Sequence, residues 1–546
     1  MTQRETMTSP LLPRASRALL ILAFLLLIFH LVVYLVYAAN LIAFPFDYDQ
    51  GEGFELVDTV MFSRGEWPYQ DTEAFPFYSS NYPPLYHVIA APFVWLFGPA
   101  YWYGRLLSLV STFVTAGAIS YAVYRESQYR WIAILAGLAY LASNTIYHVG
   151  PLFRQHISMV MFETLAVVLL AGVNEVQNKA RRRLLLIMGA ALIIAAGYTK
   201  QLAVVTALSA GIFMFIRQPR RAILWGLGSA AAGIAIFAWM TWATDGEWWR
   251  QAILANVNEI KILQSLALFQ QWFGLHGFLI VPAALVVVYE LYFNRISIYS
   301  IWFVMAVGIN GAASGTWGGG DSYFATAIAA TCILSGIFAG RTLRGTWQFR
   351  ANYLTRLLID PFRRYTPVFA TAGLIVIPLL YLGYGRAVLK MPTNLPGFQQ
   401  IAQVFQIYPN AQNGFYDSAR TQDGQYATGY AAIGHLTTAE DIAAGYRIVE
   451  MIQADERPSI TEDAAFNIVA GREVITNPTQ LLNLDLRGIF RGDELIGMIE
   501  EQAFGLIVLR AQFYPEQVLI AMGQHYERSE TVTMNGFEYI ILRPKT

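Results

Sequence analysis

Five acids fall within twelve positions of one stretch, FPFDYDQGEGFELVD (44–58): Asp47, Asp49, Glu52, Glu55 and Asp58, with no basic residue among them. Carboxylates this dense have the oxygen ligands a divalent cation takes. One of them can also serve as a general base where its surroundings raise its proton affinity. Asp49, Glu52 and Glu55 recur at three-residue spacing, which lines one side of a helix starting near Gly51. Phe54, Val57 and Met61 line an apolar side, so the helix is expected to lie along a membrane surface. The plainer reading is a loop whose acids are solvated and whose Lys and Arg are excluded by its side of the membrane. That reading suits Glu66, Asp71 and Glu73 better than the first group.

Cations elsewhere complement these acids. Arg105, Arg154 and Lys200 sit at or inside apolar runs. A cation in hydrocarbon costs ~2.5–3.5 kcal/mol on insertion scales, so it has a partner or a task. The alternative is snorkelling to lipid headgroups. Lys200 is followed by Gln201 in the tight turn YTKQ (198–201), and NYPPLYH (81–87) brings Tyr82 and His87 to a rigid aromatic turn. That turn reads equally as a helix start with interfacial tyrosines, and His87 and His156 as interfacial hydrogen bonders. Three cations and a carboxylate cluster on one face suit a phosphate leaving group and a hydroxyl acceptor.

The elements that must position these groups are membrane helices. Of 546 residues, 55% are hydrophobic and 14% charged, well below the roughly 25% charge of a soluble domain. Formal charge is zero, which argues against a nucleic-acid partner. The single Cys332 gives no disulfide framework and no Cys/His metal spacing. The apolar run 18–39 follows Arg4, Arg14 and Arg17 and reads as a retained first span. Further runs lie near 85–97, 102–124, 131–149, 157–177, 183–199, 201–216, 221–243, 274–293, 298–313, 322–340 and 366–386. A mainly α, multi-pass protein of the cell membrane with about 11–12 membrane helices is expected over 1–386. Residues 387–546 turn polar and mixed, with a helix at 442–454, strands at 504–510 and 537–543, and strand, turn, short helix and strand over 459–474. A soluble α/β domain follows.

Sidedness comes from Arg and Lys. NKARRR (178–183), RQPRR (217–221) and the segment 341–364, with Arg341, Arg344, Arg350, Arg356, Arg363 and Arg364, belong in the cytoplasm. Loop 40–84, the turn at 198–201 and the C-terminal domain then lie outside. The parity closes if the short run 85–97, bounded by Pro83-Pro84 and Gly98-Pro99, dips into the outer leaflet and returns.

The order of first span, outer acidic loop, YPPLY and FGPAYWYGRLLSLVSTF resembles the GT-C integral-membrane glycosyltransferases over roughly residues 15–340. The chain looks like their protein O-mannosyltransferase and aminoarabinose transferase relatives. The resemblance implies a donor in which a polyprenyl phosphate carries one sugar, with transfer on the outer face. It maps the catalytic acid onto Asp49 with Glu52 as its companion, and Asp47 as the competing assignment because Gln50 breaks the family's acid pair. It implies that Arg105 holds the lipid phosphate and that Lys200, in a family-like TKQ turn with Gln201, contacts it; from the residues themselves, Gln201, Arg154, Tyr82 and His87 are added as candidate substrate contacts. Relatives often carry Arg-x-Asp where this chain reads Arg154-Gln155-His156. The expected reaction is a single inverting displacement by an acceptor hydroxyl of an envelope glycan, lipid or protein. Metal dependence stays open, since some relatives use a divalent ion. Two rivals are a secondary transporter and a non-catalytic lipid-binding protein. Against the first, the chain shows no internal repeat and gathers its charges on one face.

Overall fold

The computed structural model describes residues 11–407 and 435–546, so Arg4 lies outside the described residues. Among them, seven helices are long and apolar enough to cross a membrane: 12–43, 102–127, 179–199, 219–243, 262–293, 321–344 and 355–387. Shorter apolar helices cover 85–97, 130–142, 155–171, 201–217 and 298–313. Each apolar run expected from sequence is therefore helical, and the chain is a multi-pass membrane protein.

Three boundaries differ from expectation. The run 157–177 is helical only as far as Ala171. The run 131–149 breaks at Ser143, whose backbone is extended and whose hydroxyl meets His276 Nε2 at 2.9 Å. The helix expected over 274–293 begins at Ile262. Its first turns escape a hydropathy reading because Gln264 and Gln271 interrupt them, and both face a cavity. At 1.5 Å per residue its 32 residues run ~48 Å, longer than the ~30 Å hydrocarbon layer. Helix Ala325–Arg344 is the centre of the bundle and is buried along most of its length. Its small residues allow close approach in a setting where packing, not water exclusion, joins helices. A Cβ on Gly336 would stand 2.7 Å from Val123, and one on Gly340 2.5 Å from Ser127.

The C-terminal region forms a sheet of β1 (Ser459–Thr461), β2 (Leu506–Leu509), β3 (Tyr526–Met534) and β4 (Phe537–Pro544) in the order β1-β2-β4-β3. β1 and β2 are parallel, and the other pairs are antiparallel. Helices Ala439–Gln453, Ala465–Ala470, Pro478–Asp485, Asp493–Glu500 and Glu516–His525 surround it. Residues 472–474 are not a strand, and β3 is an unanticipated one. Its intervening polar residues (Glu527, Ser529, Thr531) mask the apolar side that carries Tyr526, Val532 and Met534.

This region docks on loop 40–84. Asn477 Nδ2 donates to Ser79 O at 3.0 Å, and Gln480 Nε2 to Gln251 O at 2.8 Å. The backbone N–H groups of Arg491 and Gly492 donate to Glu73 at 2.7 and 3.1 Å. Phe44, Phe46 and Tyr48 share one apolar core with Ile448, Phe466, Val508 and Tyr539.

Candidate active site

The acidic stretch does form a helix, Gly51–Ser63. It does not rest its apolar side on lipid. Phe54, Val57 and Met61 pack on Tyr78 and Ala464, so the C-terminal region covers the face expected to meet the membrane. All five acids are buried.

The two arginines take different carboxylates. Arg105 Nε and Nη2 each lie 2.9 Å from a Glu52 oxygen, a two-point fork. Its remaining N–H groups donate to the backbone oxygens of Leu41, Phe44 at 2.6 Å and Phe46 at 2.8 Å. All five guanidinium donors are engaged, and the side chain is 0% exposed. Glu52 is equally occupied, accepting also from the N–H groups of Phe153 at 2.6 Å and Tyr48 at 3.0 Å. Neither residue lines the cavity. The clamp ties the end of the first span, the acidic loop and the 153–154 turn together.

Arg154 faces the other way. Its Nε and Nη2 hold Asp49 Oδ2 at 2.6 and 2.5 Å, and Nη1 reaches Glu55 Oε1 at 3.4 Å. A Cβ on Gly51 would overlap the Arg154 guanidinium, so glycine there lets the arginine cross the helix start. Asp49 Oδ1 is buried and has no hydrogen-bond partner. Asp49, Glu55, Asp58 and Arg154 line a cavity of about 840 Å³. Tyr82, Gln155, His156, Lys200 and Gln201 complete that end. Lys200 Nζ lies 3.1 Å from His156 Nδ1 and 4.8 Å from the Tyr82 ring centre, the distance of a cation–π contact. Gln201 Nε2 donates to Asn81 O and Ala252 O, holding two loops at the rim.

No family model matches the chain, and no curated protein matches its sequence. Solved structures do. The chain is similar to ArnT from Cupriavidus metallidurans bound to undecaprenyl phosphate, with a TM-score of 0.54 at 14% identity over 95% of this chain and 97% of that one. It is similar also to the apo state of the same protein, with a TM-score of 0.55 at 14% identity over 94% and 97%. This is the GT-C fold.

Within that GT-C frame, sequence reasoning under-rated two acids. Glu55 and Asp58 look like later turns of a surface helix, yet both reach the cavity. Burial pushes the Glu55 carboxyl up to about 8, against the pull of Arg154. Burial likewise raises Asp58 to about 7, against hydrogen bonds from Ser80 Oγ at 2.5 Å and Tyr78 OH at 2.8 Å. His87 stands behind this pair and away from the cavity, its Nε2 3.3 Å from Glu55 Oε2 and 3.7 Å from Asp58 Oδ2. Burial, with Arg154 nearby, lowers Lys200 to about 7. Asp47, the competing assignment, points elsewhere: its Oδ2 accepts from Ala465 N at 2.9 Å. Burial and the neighbouring Asp463 push its carboxyl well up. The three-residue spacing was the available signal for Glu55 and Asp58, but nothing local shows that the tail covers their helix. Among the described residues no three His, Cys, Asp or Glu side chains gather as a metal site.

Proposed function

We propose that the chain transfers a sugar from a polyprenyl-phosphate donor to an acceptor hydroxyl on the outer side of the membrane, with inversion at the anomeric carbon. The observation that carries this is Asp49: one carboxylate oxygen is fixed by Arg154, the other is buried without a partner, and the residue lines a large cavity that Lys200 lines too. That is the arrangement of a positioned general base beside a leaving-group site. The likeness to a GT-C protein solved with undecaprenyl phosphate supports the donor class.

In this reading the acceptor O–H gives its proton to Asp49 Oδ1. The oxygen forms a bond to the anomeric carbon from the face opposite the phosphate. The bond from that carbon to the phosphate oxygen breaks, and the polyprenyl phosphate leaves with the electron pair. Lys200, steadied by His156 and Tyr82, meets the developing charge. Arg154 keeps Asp49 oriented. The phosphate role carried by resemblance to Arg105 passes to Lys200 and Arg154, because Arg105 has no donor free. Glu52 acts through Arg105 as a positioning residue and not on substrate.

The test is single-turnover release of polyprenyl phosphate from a panel of radiolabelled polyprenyl-phosphate sugars, using purified full chain in lipid nanodiscs with an envelope extract as acceptor source. Release with label moved to the extract is expected. No turnover of any donor, with the donors bound, would leave a lipid-binding protein. Vectorial uptake of label into vesicles without cleavage would make it a transporter. For sidedness, cysteines at Arg487 and Arg183, both exposed, are compared in intact cells. An impermeant thiol reagent should label only the first.

A further inference from the structure

The cavity continues past the carboxylates into a second half of different chemistry. Its wall is built by the first turns of helix 262–293, the turn 314–319 and the C-terminal region, through Asn477, Thr479, Asn483 and Phe513. Here amides and aromatics replace the charges: among the described residues, Lys261 is the sole charged side chain lining the cavity from these segments, and it is exposed.

Resting on the donor reading above, we infer that this half is the acceptor subsite and that it takes a neutral, polyhydroxylated acceptor, the end of a glycan. Two loops are held rigid to present an aromatic pair. Gln264 Nε2 donates to the backbone oxygens of Ser314, Thr316 and Gly319 at 3.1–3.3 Å, fixing the turn that carries Trp317. Glu462 accepts from four consecutive backbone N–H groups, Arg510 to Phe513, at 2.5–2.9 Å, fixing the loop that carries Phe513. The rings meet edge to face with centroids 6.1 Å apart, one from the membrane unit and one from the C-terminal region. Both are half-buried, leaving ring surface for the C–H face of a sugar.

Two polar groups of the cavity wall are unsatisfied. Asn310 lines the cavity at 1% exposure with neither amide atom bonded to protein. Asn483, at 3% exposure, leaves its Oδ1 unpartnered. Buried amides are normally hydrogen-bonded, and a hydroxyl-bearing ligand supplies both the donors and the acceptors these two lack. A site of this kind rejects ligands without such hydroxyls. A phosphorylated acceptor would meet one exposed lysine. An extended peptide acceptor would favour an open strand edge, and no residue of the edge strands β1 and β3 lines the cavity.

Saturation-transfer NMR on the full chain in nanodiscs tests this with three probes: neutral methyl glycosides and disaccharides of hexoses and pentoses, a Ser/Thr-rich peptide, and a hexose 1-phosphate. Binding of sugar-free polyprenyl phosphate is measured on the same samples. Saturation of neutral glycoside protons is expected, falling about tenfold in Trp317→Ala and in Asn483→Ala and largely retained in Trp317→Tyr. Polyprenyl phosphate binding should not change in these variants, which also shows that they fold. Saturation of peptide or phosphosugar in preference to glycosides overturns the inference. So does glycoside saturation indifferent to both alanine variants, or its absence in a chain that binds polyprenyl phosphate. Glycoside saturation that responds to the variants in a chain with no affinity for polyprenyl phosphate supports the subsite and sinks the donor reading instead.

Discussion

Arg105 and Arg154 grip the same short stretch of chain, and they do it in opposite ways. Arg105 and Glu52 close on each other: five donors engaged, both carboxylate oxygens shared with backbone N–H groups, no solvent. In the pair of Arg154 and Asp49, one carboxylate oxygen, Asp49 Oδ1, has no partner, and the arginine side chain is 16% exposed. A buried ion pair repays its desolvation only when every remaining donor and acceptor is satisfied. The first pair meets that condition and builds the site. The second does not, and the incompleteness is what chemistry can use.

The sharpest way to break this contrast is to remove one charge from each pair. Asp49→Asn should cost ~10²–10⁴ in turnover, the usual weight of a general base, while polyprenyl phosphate binding and the unfolding midpoint stay close to the parent. Glu52→Gln and Arg105→Ala should instead lose ~3–5 kcal/mol of stability, the cost of stranding a buried charge, read by thermal unfolding in nanodiscs. If Glu52→Gln folds normally and fails only in turnover, the first pair is functional and the contrast collapses. If Asp49→Asn keeps full turnover, the base lies elsewhere.

A smaller effect is expected at the phosphate. Lys200→Ala should raise the donor KM by roughly tenfold, the order of one charge-assisted contact. Because burial brings Lys200 to about 7, its charged form fades as pH rises through neutrality. Donor KM in the parent should therefore climb from about pH 6 to about pH 8, and the Lys200→Ala profile should be clearly shallower over that range. Parallel profiles would remove Lys200 from the phosphate site.

How much of this was open to a reader of the sequence follows from the same residues. The membrane helices were legible because each is a local property, a run of apolar residues. The cavity half-lined by helix 262–293 was not, because Gln264 and Gln271 lower the hydropathy where the helix leaves lipid. Arg105 and Arg154 look alike in sequence, each a lone cation beside an apolar run. Their partners lie 53 and 105 positions away, and only the tertiary structure says which is saturated. Glu52 and Glu55 do lie on the expected helix and Asp49 just ahead of its first residue, but three-residue spacing cannot say that one turns back to Arg105 while the other two turn to Arg154. The tail's part in the site had no local signal at all: Asn483 and Phe513 sit in an ordinary helix and an ordinary loop.

The smallest expected effect concerns the acids behind the open pair. In the folded chain burial holds Glu55 at about 8 and Asp58 at about 7, against ordinary values of 4.5 and 3.8. The folded state thus keeps protons that the unfolded state gives up near pH 4. Where the folded state binds more protons, stability falls as pH rises. The unfolding midpoint should therefore decline between about pH 4.5 and about pH 7. Above neutrality Lys200 acts with the opposite sign: its folded value of about 7 lies below the ordinary 10.5, so the unfolded state binds the extra proton and stability is regained with rising pH. Glu55→Gln mimics the protonated carboxyl and keeps its place beside Arg154 and His87. It should match the parent near pH 5, exceed it in midpoint near pH 7 and shed part of the parent's slope between. Asp58→Asn should be less kind even at low pH, since Ser80 and Tyr78 both donate to the carboxylate it replaces. Measuring the midpoint of all three proteins at about pH 5, 6, 7 and 8 separates the outcomes. A Glu55→Gln profile superimposed on the parent would mean that Glu55 is already ionised throughout, and the open pair would then extend one turn further along the helix than Asp49.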